Sequence, residues 1–235
     1  MIRSISLERE GIDVDRYPFA IPAIRAITTL ELDPHVTLFA GENGSGKSTL
    51  VEAIAVAAGF NAEGGSRNMS MSTRPSHSEL HEALRLVQDT RPLRDGWFLR
   101  AESFYNLATH VEELGVSGYG DVPLHEQSHG ESFLSLALHR FFGRGLYILD
   151  EPEAALSVQG QLALMRRMHE LIEDGSQFLI STHSPILLGY PGARIYVLSE
   201  AGLEQSRYED TEQYDLTRSF LGDRERFLHY LFADD

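Results

Sequence analysis

The chain has 235 residues and a formal net charge of −15, from 35 acidic against 20 basic side chains. That length is room for one large α/β domain or two small ones, and hydrophobic residues make up 42%, enough for a proper core and too many for a disordered chain. Cysteine is absent, which excludes disulfides and thiolate metal sites, and no apolar run approaches the roughly 20 residues that cross a bilayer. The acidic surface favours solubility and gives no general basis for holding nucleic acid, which binds through Lys and Arg displacing counterions from phosphates. A local basic face is the one route left open for it. With no signal-like N-terminus and no thiols, the expected compartment is the cytoplasm, without direct membrane insertion.

In chain order, Ile2 to Arg9 alternates like a first strand, and Ala26 to Leu32 and Val36 to Ala40 read as two more, separated by the turn pair Asp33-Pro34. A glycine-rich turn, Gly41 to Gly46, leads into a helix from Lys47 to about Ala58 with Leu50, Ala53, Ile54 and Ala57 on one face. Asn61 to Ser78 is polar and reads as a loop. Glu79 to Asp89 reads as a short helix with Leu80, Leu84 and Val87 inward. Trp97 to Glu102 reads as a strand, Ser103 to Glu113 as a helix, and Gly115 to Val122 as a loop. Helices are expected over Glu131 to Phe142 and Ser157 to Glu173. Leu146 to Leu149 and Gln177 to Ser181 are apolar enough to be strands covered on both faces of a parallel sheet. Arg194 to Ser199 and Leu203 to Tyr208 suggest a hairpin, and Glu212 to Phe232 two short helices. Strands alternating with helices place the chain in the α/β class.

Gly41-Glu-Asn-Gly-Ser-Gly-Lys-Ser48 fits the phosphate-loop pattern G-x-x-x-x-G-K-[ST] without a mismatch, between a strand and a helix as that pattern requires. Glycines let backbone N–H groups of Asn43, Gly44, Ser45 and Gly46 turn toward an anion, and the helix N-terminus adds partial positive charge. Lys47 is expected to bridge the β- and γ-phosphates, Ser48 to ligate Mg²⁺, and Thr49 to touch the α-phosphate. The apolar strand Leu146 to Leu149 ends in Asp150-Glu151-Pro152. At a strand end beside a phosphate loop, Asp150 suits the metal, and Glu151, one residue on, suits a general base for attacking water.

Three further segments follow in order. Gln127-Ser-His-Gly-Glu131 opens a helix, with Ser128 as N-cap and Glu131 completing a capping box. Pro152-Glu-Ala-Ala-Leu-Ser157 follows the acidic pair, and Phe178-Leu-Ile-Ser-Thr-His183 puts a histidine just after the next strand.

From Val36 to Pro185 this series resembles the head of an ABC-type P-loop ATPase. It is most similar to the soluble branch: chromosome-maintenance and double-strand-break-repair heads, overcoming-lysogenization-defect nucleases, and compact AAA family ATPases. The signature match is partial, since His129 replaces a glycine and Glu131 a glutamine. The resemblance implies a P-loop fold of ABC type. Its core would be a mostly parallel sheet flanked by helices, with an N-terminal antiparallel β part and a small helical subdomain in about residues 60–145 of a single domain. It implies ATP with Mg²⁺ bound in a homodimer, where Lys47, Glu151 and His183 act on the triphosphate and Ser128 and Gly130 reach it from the second copy. It offers Glu102 as a metal- or water-sensing residue in place of a glutamine, and Tyr17 or Phe19 as an aromatic to stack on adenine. Hydrolysis would then serve as a conformational switch for an unidentified protein partner, in DNA repair or defence. The alternatives are the ATPase subunit of a membrane transporter and a non-hydrolysing ATP sensor.

Overall fold

Five parallel strands form the centre of a seven-stranded sheet, and the phosphate loop leaves the strand next to the middle one. The computed structural model describes residues 1–67, 78–90, 93–101 and 128–233. The strands are β3 (Val36–Gly41), β6 (Asp95–Arg100), β7 (Gly145–Asp150), β8 (Gln177–Ser181) and β9 (Arg194–Ser199), paired in parallel in the order β9-β3-β8-β7-β6. Antiparallel edges flank them: β10 (Gly202–Ser206) beside β9 and the two-residue β4 (Gly65–Ser66) beside β6. A separate antiparallel sheet runs β2-β1-β5, from β1 (Ile2–Leu7), β2 (Thr29–Glu31) and β5 (Leu84–Gln88).

The period of two along each central strand sorts its side chains onto two cores. Leu38, Ala40, Tyr147, Leu149, Phe178 and Ile180 face one. Phe39, Phe98, Leu146, Ile148 and Leu179 face the other. Helix α2 (Lys47–Ala57) covers the second face with Leu50, Val51, Ala53 and Ile54. Helices α4 (His129–Arg140) and α5 (Val158–Glu173) cover the first, through Phe133, Leu136 and Ala137 and through Leu164, Met168 and Leu171. The 3-, 4- and 7-residue spacings in those sets are one helix face. Ser157 caps α5 by accepting the Gly160 N–H at 3.2 Å.

The two sheets are tied by Gln177, a buried side chain at the start of β8. Its Oε1 accepts the Ile2 N–H, and its Nε2 donates to the carbonyls of Ile2 and Asp33, each at 2.8 Å.

Several elements depart from the sequence reading. The expected helix Glu79 to Asp89 is one turn, α3 (Leu80–Ala83), followed by β5, which pairs with β1. Leu84 still faces inward, but Val87 is 53% exposed. Pairing with β1 outweighs the helical spacing of the leucines. The strand expected from Ala26 shortens to Thr29–Glu31, because Ile24 to Ala26 finish a short helix, α1 (Pro22–Arg25), opened by a proline at its first turn. A further turn, α6 (Pro185–Leu188), is capped by Ser184. The hairpin's second arm ends at Ser206, and Tyr208 belongs to a 3-10 turn ahead of α7 (Glu212–Gly222) and α8 (Arg224–Leu231). The expected helix 103–113, the loop 115–122, most of the loop 61–78 and Glu102 lie outside the described residues.

Candidate functional site

The loop after β3 is shaped by glycines that nothing larger would replace. Gly41 has φ +140°, and a Cβ there would fall 2.2 Å from the Leu198 carbonyl oxygen of β9. Gly46 has φ +98°, and its Cβ would meet Ile21 Cγ2 at 2.9 Å. The left-handed turn at Gly46 starts α2 immediately and aims the free N–H groups of its first turn at the loop. Lys47 is 3% exposed, and its Nζ donates to the Glu42 carbonyl at 2.8 Å, folding the loop around the ammonium. Burial lowers its pKa, while the carboxylates of Glu151, Asp150 and Glu153 pull it back up. Asn43 and Gly44 are exposed at the loop tip, with Ser45 behind them.

Those carboxylates come from the end of β7. Asp150 is 6% exposed, and Ser181 at the end of β8 donates its hydroxyl to Oδ1 at 2.5 Å. The parallel register places Ser181 beside Asp150 on one side and Arg100 of β6 on the other. Arg100 Nε stands 3.6 Å from Asp150 Oδ2, and its Nη1 donates to Glu52 of α2 at 2.6 Å.

Glu151 takes a left-handed backbone conformation, φ 49° and ψ 53°, that a side chain seldom adopts. Its N–H donates to the Ser181 carbonyl at 3.0 Å, which holds the turn. The turn lifts the carboxylate off the sheet, with Oε1 at 3.3 Å from His183 Nε2. His183 is placed in turn by Glu153, whose Oε1 accepts the His183 N–H at 2.5 Å. Burial pushes the Glu153 carboxyl above the usual carboxylate range.

A cleft of ≈ 550 Å³ opens beside the loop, lined by Tyr17, Ser48, Thr49, Glu52 and Arg100 among others. Tyr17 is 62% exposed, and its hydroxyl lies 3.3 Å from Thr49 Oγ1. Phe19, the other aromatic considered for adenine, is buried in the core under α2.

Ser128 caps α4. Its hydroxyl accepts the Glu131 N–H at 3.4 Å, and the Glu131 carboxylate accepts the Ser128 N–H at 2.9 Å, closing the box. The bonds from Ser128 hold the Glu131 carboxyl below its ordinary pKa. Gly130 packs on the turn after Glu151, where a Cβ would lie 2.5 Å from the Ala155 carbonyl oxygen. Helices α4 and α2 cover opposite faces of the sheet.

Lys47, Asp150, Glu151 and His183 are thus gathered at the carboxyl ends of neighbouring strands, where ligands bind in parallel sheets. Arg100, Glu52, Glu153 and Ser181 join them without having been singled out in the sequence. The signal for Ser181 and Glu153 was adjacency to marked residues. For Arg100 and Glu52 it exists only in the β6–β7 pairing.

The oxygen donors suit magnesium. Mg²⁺ keeps several waters and takes one or two protein ligands, and a hydroxyl with a carboxylate, Ser48 and Asp150, is such a set. Among the described residues no three His, Asp or Glu side chains form a denser cage.

The family described as "AAA domain, putative AbiEii toxin, Type IV TA system" matches residues 71–189, half of the chain, and a second described as "AAA domain" matches residues 22–91. The chain belongs to this AAA-domain family. Its relatives include ABC ATPases, in keeping with the motif order. The cytochrome c biogenesis ATP-binding export protein CcmA of Rhodopseudomonas palustris strain HaA2 is 31% identical over 156 residues, 62% of this chain and 76% of the relative. A Methanothermobacter marburgensis protein named "Putative ABC transporter ATP-binding protein" is 37% identical over 90 residues, 38% of this chain and 32% of that one. In structure, cbiO1 of Clostridium perfringens, part of the ABC transporter complex cbiONQ, superposes over 98% of this AAA-domain chain and 99% of its own, with TM-score 0.53 and 18% identity. That likeness establishes the fold, a P-loop α/β sheet of ABC type. Among the described residues no helix is long and apolar enough to cross a membrane.

Proposed function

We propose that this chain binds ATP with Mg²⁺ and hydrolyses it, and that the nucleotide is closed between two copies of the chain acting as one ATPase domain each. The observation that carries the reading is the convergence of Lys47, Asp150, Glu151 and His183 at adjacent strand ends. There the backbone cradle of Asn43 to Ser48 holds the triphosphate and Thr49 borders its α-phosphate. Tyr17 is exposed with its hydroxyl 3.3 Å from Thr49, which supports it as the aromatic that meets the base.

Ser48 and Asp150 would hold the magnesium ion, which when bound neutralises charge on the phosphate oxygens. Glu151 accepts the proton of the attacking water as its oxygen bonds the γ-phosphorus. The bond from that phosphorus to the bridging oxygen breaks, and ADP leaves. His183 keeps the Glu151 carboxylate oriented and faces the γ-phosphate. Lys47, deprived of water, acts as an undiluted charge on the phosphates. Ser128 and Gly130 start a helix on the other face of the sheet, so their hydroxyl, N–H and helix dipole serve the nucleotide of a second copy in a twofold arrangement. Binding closes the pair and hydrolysis opens it, so the γ-phosphate gates a switch that an unidentified protein partner uses.

Glu151→Gln tests the centre of this reading. The variant binds ATP, loses roughly 10²–10⁴-fold in phosphate release, and accumulates an ATP-bound dimer on sizing columns. Hydrolysis at the wild-type rate would remove Glu151 as the base. Ser128→Arg should prevent the dimer while leaving monomer binding of ATP intact; dimerisation by that variant would count against the shared site.

A second reading, the ATPase subunit of a transporter, is favoured by the likeness to CcmA, whose name is that of an ATP-binding export protein. A role in DNA repair or defence draws on the motif resemblance and on the toxin in the family description, against a charge of −15. Phosphate release measured with and without duplex DNA separates these readings. Stimulation by DNA supports repair or defence, and release indifferent to DNA supports a protein or membrane partner. Tight ATP binding with no release would mark a sensor.

A further inference from the structure

Arg100 is the last residue of β6 and lies across the sheet from Asp150. Its guanidinium spans two carboxylates, with Nη1 at 2.6 Å from Glu52 Oε2 and Nε at 3.6 Å from Asp150 Oδ2. Glu52 comes from α2, five positions after Lys47, and Ser48, Thr49, Glu52 and Arg100 all line the cleft beside the phosphate loop. The arginine side chain is 22% exposed, and the Glu52 and Asp150 side chains are 13% and 7% exposed. These charges are held largely out of water, where pairing matters most.

Asp150 needs a cation. As a nearly buried carboxylate it is costly unless compensated, and the Ser181 hydroxyl covers only Oδ1. Arg100 supplies the positive charge on Oδ2. On the reading above, magnesium engages this same carboxylate. A guanidinium and a divalent cation on one carboxylate repel each other, so the metal loosens the hold of Asp150 on Arg100. Glu52 remains as an anchor on the wall of the cleft. The acceptors newly within the cleft are the phosphate oxygens, and arginine meets phosphate with several N–H donors at once.

We propose that Arg100 is a nucleotide-binding residue with two stations: it neutralises Asp150 in the metal-free protein and turns to the phosphates when magnesium takes that carboxylate. The proposal rests on the ATPase reading and adds to it a cationic side chain delivered by the metal from within the same chain. Glu52 acts as its tether and competes with the phosphates for the guanidinium.

The test is ATP affinity by calorimetry, with magnesium and with EDTA, for wild type, Arg100→Ala, Arg100→Lys and Glu52→Gln, each first checked for folding by circular dichroism. Losing a charge-assisted contact made only with the metal present should weaken MgATP binding by Arg100→Ala about tenfold or more. In EDTA the same variant should change by less than about threefold. Arg100→Lys falls between wild type and alanine, because a point charge replaces the fork. Glu52→Gln tightens MgATP severalfold by releasing the tether. If Arg100→Ala does not fold, the lysine and glutamine variants carry the same contrast. Equal losses with and without magnesium, or MgATP affinities of Arg100→Lys and Glu52→Gln within twofold of wild type, would overturn the proposal. A wild-type protein with no affinity for MgATP would overturn the ATPase reading itself; normal wild-type binding with indifferent variants overturns the assignment of Arg100 alone.

Discussion

Glu153 shows how one side chain couples stability to the site. Its carboxyl is raised by burial first, and the neighbouring Glu151 charge adds to that, against the N–H of His183. A carboxyl with a folded pKa above its unfolded value, about 4.3 for glutamate, takes up a proton on folding. It contributes most below the unfolded value, and that contribution is lost as pH rises through the folded one. Glu153→Gln keeps an oxygen to accept the His183 N–H while deleting the titration. The expected outcome is a melting temperature at neutral pH equal to or above wild type, and a flatter fall in melting temperature as pH rises above the ordinary carboxylate range. Parallel wild-type and variant profiles would show that Glu153 ionises normally. Glu151 differs: its left-handed backbone costs of order 1–3 kcal/mol, and the conformation lifts its carboxylate beside His183.

At the scale of elements, the start of α4 is built for folding. The capping box satisfies donors that every helix start leaves open, and Gly130 lets the helix lie against the turn at Ala155. Gly130→Ala sets a methyl 2.5 Å from a backbone oxygen that cannot swing away, and should destabilise by about 1–3 kcal/mol in urea melts. Ser128→Ala should cost about 1 kcal/mol. If Ser128 also serves a second copy, its alanine variant loses ATP-dependent dimerisation by more than that stability change explains. A wild-type urea midpoint for Gly130→Ala would mean that α4 and the turn move apart easily. Elements were legible where a local pattern decides them, as in Lys47–Ala57, Val158–Glu173 and Gln177–Ser181. Residues 84–88 were misread because Leu80, Leu84 and Val87 satisfy a helical period while β1 offers an open edge that strand pairing fills.

Over the whole molecule, Gln177 fastens the antiparallel sheet to the central one through two hydrogen bonds to Ile2, with a third to the Asp33 carbonyl ahead of β3. Gln177→Ala strands buried backbone groups of Ile2 and Asp33, at about 1–3 kcal/mol for each left unpaired. The expected result is a clear drop in urea midpoint, with the N-terminal residues losing hydrogen-exchange protection first. Uniform loss of protection would place the junction elsewhere.

The amino-acid sequence by itself determined the phosphate loop, the acidic strand end, the capped helix at Ser128 and the histidine after the next strand. Each is a short pattern whose chemistry depends on neighbours a few residues away. Tertiary structure alone decided that Phe19 belongs to the core, that Glu153 holds His183, and that Arg100 stands opposite Asp150. It also set the helices that start at Lys47 and His129 on opposite faces of the sheet. These outcomes follow from strand order and register, which are fixed by burying two cores at once across residues far apart in the chain.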